Sequence, residues 1–151
     1  MFTTVRYFIK TSIIFLITGI LTGLYMSINI HLHFGDYSPE LVSAHTHIIL
    51  VGSVMMMIMG VALWFFPRPE KEDKKYNPGI ILLTYWTMTI STALRFLFEL
   101  ISSFILINSI EIFITIFSFF QVLAIAFFFY SMWGRIRSVG SHIREAKGEK
   151  F

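Results

Sequence analysis

Cysteine is absent from all 151 residues. That excludes disulfides, thiolate metal sites and covalent c-type haem attachment by this chain, and it leaves the redox compartment undetermined. Charge is scarce too: Asp, Glu, Lys and Arg make up 14% of the residues, against about 25% in soluble proteins. The shortage is concentrated. None of these four residue types falls in 11–35, and none in 41–67. Each gap exceeds the ~20 apolar residues that cross a bilayer. With 56% hydrophobic residues, the chain is expected to be integral to a lipid bilayer. A net charge of +3, split among separate segments, offers no broad basic surface, so nucleic acid is not an expected partner. The first apolar run is span-length and lacks a small-residue cleavage site, so no cleavable signal is expected.

Four spans follow from the apolar runs: 7–33, 39–66, 78–106 and 109–134. The stretch 79–133 holds 55 residues, too many for one crossing at 1.5 Å per residue and enough for two. The expected fold is an all-α membrane protein, a four-helix transmembrane bundle over 1–134 with a basic tail over 135–151. Ser38 followed by Pro39 reads as an N-cap with proline at the first helical position. Asn108, three residues before Glu111, resembles a capping box that opens the last span. Eleven of the 12 Lys and Arg lie in the N-terminus, the loop after Pro67 and the tail. By the positive-inside rule both termini are expected in the cytoplasm, which places the chain in a prokaryotic cytoplasmic membrane with its histidine pair toward the outer face.

Against this apolar background a few polar residues stand out. His45 and His47 sit about two turns into the second span, where an ionisable side chain needs a partner or a function. Two residues apart on a helix, they are separated by about 200° and point to nearly opposite faces. Arg95 and Glu99, at i and i+4 in the third span, share a face and can pair. Gly19 and Gly23 form a small-xxx-small pair that permits close helix approach. His31 lies at the outer end of the first span, near the expected depth of His45. His33 and His142 read as surface residues, and Met55 to Met57 and Met59 as core or lipid contacts.

The run His45-x-His47, with Gly52, Gly60, Trp64 and Pro67-Arg68 at their spacings, resembles the tenth transmembrane helix of the haem-copper oxidase catalytic subunit. The C-family cytochrome c oxidases, which carry b-type haem, are the most similar version. The resemblance implies that His47 ligates a low-spin haem b and that His45 serves a second haem from the opposite face, with Gly52 admitting a flat ligand. Arg95 is then a candidate partner for a haem propionate, and His31 is the in-chain candidate for the second axial position. The resemblance covers the second span alone. The family's copper-ligating histidines and its tyrosine have no counterpart here, so oxygen reduction by this chain alone is not expected.

Three function classes follow. The favoured one is a membrane-embedded b-type haem protein for electron transfer or gas binding, working as a homo-oligomer and with a redox partner protein. The second is a copper or zinc site built from His31 and His45, with His33 as the further candidate. The third is a non-catalytic subunit of a larger terminal oxidase or nitric oxide reductase-like complex.

Overall fold

The computed structural model describes residues 2–32, 37–66, 77–105, 109–136, 140 and 147–148. All regular structure among them is helical. The elements are α1 (Phe2–Leu32), α2 (Pro39–His47), a π-helical segment π1 (Ile48–Met55), α3 (Met56–Phe65), α4 (Pro78–Phe104) and α5 (Ile110–Met132). A single 3₁₀ turn, Trp133–Arg135, ends the last span. α2, π1 and α3 run on as one membrane-length helix, so four helices are long and apolar enough to cross a bilayer. Their bounds fall within a few residues of those expected from the apolar runs.

Local chemistry fixes the helix starts. Ser38 accepts a hydrogen bond from the Leu41 amide at 3.3 Å, and Pro39 opens the helix, where its missing N–H costs nothing. Asn77 does the same for α4, accepting from the Gly79 amide at 2.7 Å ahead of Pro78. α5 starts differently: Ser109 is its N-cap but makes no side-chain cap bond, and Asn108 of the expected capping box lies outside the described residues.

The second span and α4 form the centre of the bundle. α1 packs along π1 and α3, α4 packs on α2 and π1, and α5 lies against α4. The apolar core sits in the half of the bundle that holds the start of α1 and the end of α3. There Phe8, Met56, Met59, Leu63, Met88 and Met132 are at most 1% exposed. Phe8 meets Tyr85 and Phe128 edge-on, with ring centroids 5.3 and 6.2 Å away. Thr11 and the Tyr85 hydroxyl share a hydrogen bond of 2.8 Å that ties α1 to α4.

Arg135 does not belong to a solvated tail. It is fully buried and donates to the carbonyls of Leu63 at 3.2 Å and Phe66 at 3.0 Å, the last acceptors of α3. Those carbonyls have no partner further along their own helix, and in a bilayer each needs one. A guanidinium also suits the negative end of the helix dipole. The bundle therefore reaches one residue beyond the expected boundary at 134, because a helix end inside the fold needs a donor.

Candidate functional site

The histidine pair divides between two neighbours. His45 faces α1: its Nδ1 is 2.9 Å from the Gly19 carbonyl oxygen. A carbonyl only accepts, so Nδ1 carries the hydrogen and the Nε2 lone pair is left exposed. Nε2 has no hydrogen-bond partner among the described residues. Gly23 makes room for the ring, since a Cβ there would stand 2.8 Å from Cε1 of His45. Gly19 gives the same close approach to Ile49. The glycine pair is thus filled from within the chain, by Ile49 and His45 of the second span.

His47 faces α4. Its Nδ1 lies 2.8 Å from the Ser43 carbonyl oxygen, which again makes Nδ1 the donor. Arg95 Nη2 comes within 2.9 Å of Nε2 and 3.1 Å of Nδ1. Guanidinium only donates and Nδ1 is committed to Ser43, so the Arg95 hydrogen bond goes to the Nε2 lone pair. Both histidines therefore hold Nδ1–H on a backbone carbonyl, the arrangement that orients metal-ligating imidazoles. They differ at Nε2, which is open in His45 and occupied in His47.

Around Arg95 the polar groups of three helices converge. Arg95 Nε donates to Glu99 Oε1 at 3.1 Å and Nη1 to Gln121 Oε1 at 3.0 Å. Ser43 Oγ donates to the same Glu99 oxygen at 2.8 Å, and Gln121 Nε2 donates to Thr92 at 3.0 Å. Glu99 is 2% exposed, and its Oε2 has no hydrogen-bond partner. The expected i, i+4 pair is present, but it is one edge of a larger network. Ser43, Thr92 and Gln121 escaped the sequence reading. The signal was the polar spacing Thr84, Ser91, Thr92, Arg95, Glu99 in an apolar helix, which places these residues along one buried face.

Two further candidates sit apart from this network. Gly52, in π1, is buried, and a Cβ there would come within 2.9 Å of both Phe15 and Thr92. Its lack of a side chain serves helix packing between α1 and α4. His31 is exposed and lies eight residues beyond Gly23, about 12 Å along α1. His45 meets α1 at Gly19 and Gly23, so His31 and His45 are not level. Helix ends that turn without offset at 33 and 39 would separate the two in depth by about 6 Å, and the packing of His45 on Gly19 and Gly23 makes the separation larger. His33 and His142 lie outside the described residues. Among the described residues no three His, Cys, Asp or Glu side chains come together as a metal site. Neither family models, curated proteins nor solved structures contain a match to this chain.

Proposed function

We propose that the chain is a membrane-embedded b-type haem protein in which His45 supplies an axial ligand through Nε2. The observation that carries the reading is the His45 Nδ1–H to Gly19 carbonyl bond, which fixes the ring and leaves Nε2 with a free lone pair at membrane depth. The donor set favours haem over a bare copper or zinc ion. A structural zinc site takes four protein ligands and a catalytic one three, whereas porphyrin supplies four nitrogens and asks the protein for one or two. A single well-oriented imidazole fits the second demand.

His47 is the further candidate, provided Arg95 withdraws from its Nε2. Arg95 would then be free to pair with a propionate, for which a planar guanidinium is suited. When bound, haem would supply a one-electron couple or a site for a diatomic gas. The residues of this chain orient the imidazoles and hold compensating charge. The reading retains both termini in the cytoplasm, a prokaryotic cytoplasmic membrane, an assembly of several copies and a redox partner protein. Membership of a larger terminal oxidase remains the second reading, supported by the resemblance of the second span.

The experiment is a pyridine haemochrome assay with an optical spectrum on the purified protein and on single variants. His45→Ala is expected to lose most of the haem, and His47→Ala to keep it with an altered spectrum. His142→Ala is expected to change neither. If His45→Ala and His47→Ala both left the spectrum and the haem-to-protein ratio unchanged, the reading would be abandoned.

A further inference from the structure

Serine and threonine inside membrane helices ordinarily turn their hydroxyls back onto the carbonyl four residues earlier. Thr18, Thr22, Thr46, Thr115 and Ser118 do so, at 2.6–3.0 Å. Thr89, Thr84 and Ser131 do not, and none of the three hydroxyls has a hydrogen-bond partner. The last two are the ones in residues with no exposed surface.

The two residues lie at one level of the α4–α5 pair. Gln121 of α5 is bonded to Thr92 of α4. Because the helices are antiparallel, Thr84 lies about 12 Å from Thr92 in the direction in which Ser131 lies about 15 Å from Gln121. Between this level and the Arg95 network run Met88, Ser91 and Thr92, each at most 2% exposed. At the far end Glu99 Oε2 is likewise buried without a partner. Unpartnered polar atoms thus stand toward both ends of the buried polar face of α4, and the groups between them, Ser91, Thr92 and Gln121, are already hydrogen-bonded.

We propose that the α4–α5 seam is a binding site for a file of water molecules, reaching from Thr84 and Ser131 past Met88 to the Gln121–Arg95–Glu99 cluster. Water is the ligand that supplies both donors and acceptors at such points, and buried waters settle where two to four polar partners surround them. A hydrated line of this kind inside a membrane bundle is the usual material of an ion or proton route. The proposal does not depend on haem.

Radiolytic hydroxyl footprinting of the purified full chain, read by mass spectrometry, provides the test, because radicals formed from bound water mark the side chains beside it. Met88, Met56 and Met59 are equally hidden, at 0%, 0% and 1% exposure. All three belong to the apolar core, and of them only Met88 stands on α4 between Thr84 and Thr92. It is expected to be labelled about tenfold faster than Met56 and Met59, since it alone adjoins bound water. Thr84→Val, which keeps the side-chain shape, is expected to bring Met88 down to the Met59 rate with an unchanged circular dichroism spectrum. Labelling of Met88 no faster than Met59 in the unaltered protein overturns the proposal, and so does labelling that Thr84→Val leaves intact. Should that variant not fold, the comparison within the unaltered protein decides alone.

Discussion

Replacing Arg95 with methionine removes the cation from a carboxylate that has almost no access to solvent. The Glu99 side chain is 3% exposed and that of Arg95 13%, so screening by water offers little relief. Breaking a buried pair from one side typically costs about 3–5 kcal/mol, mostly the penalty of the charge left behind. Ser43 still donates to Glu99 Oε1 at 2.8 Å, which holds the cost toward the lower end. Gln121 and His47 each lose a donor as well. Interhelical hydrogen bonds in membranes average about 0.6 kcal/mol, so these add roughly 1 kcal/mol. The expected loss for Arg95→Met is about 4 kcal/mol. Adding Glu99→Leu removes the stranded charge, and apolar replacement of a whole buried pair is often neutral. The double variant should therefore lie only about 1–2 kcal/mol below the parent, well above the single one. Reversible unfolding in mixed dodecylmaltoside and dodecyl sulfate micelles, followed by far-ultraviolet circular dichroism, measures all three proteins. A single variant within about 1 kcal/mol of the parent, or a double variant no more stable than the single, would refute the claim that Arg95 neutralises a buried Glu99.

Two further outcomes follow from the fold. Arg135→Met should lower stability in the same assay by about 2 kcal/mol, because the carbonyls of Leu63 and Phe66 lose their donor inside the bundle. Tyr37→Cys, between the first two spans, should react with a membrane-impermeant maleimide on intact cells; reaction only in inverted vesicles would reverse the proposed orientation.

The spans were legible because a membrane demands long, predominantly apolar runs, which the chain shows four times. The opposed faces of His45 and His47 were legible for an equally simple reason, since the angle between i and i+2 is set by the helix itself. What those faces meet was not. That His45 turns to Gly19 and Gly23 while His47 turns to Arg95 depends on how helices pack and slide, and spacing along one helix carries no record of it. The axial offset that adds to the separation of His31 from His45 is hidden for the same cause. Gln121 was lost among the phenylalanines of the last span, where one amide looks incidental until its partners on α4 are known. Arg135 was misplaced because it follows Gly134 and is the first of the basic residues of 135–151, although its side chain turns back to the end of α3.

The π-helical turn between α2 and α3 gives the second span two phases. Its wider turns hold more residues per revolution than the α-helix on either side, so the histidine end and the methionine-rich end do not lie on one straight helical stripe. A residue added or removed within Ile48–Met55 would turn one end against the other by about 100° as well as shifting it. Such a turn would swing His45 off the α1 glycines while α3 stayed seated against Phe8. The joint is therefore a dial set between two well-packed helices, and its setting decides which neighbour each imidazole addresses.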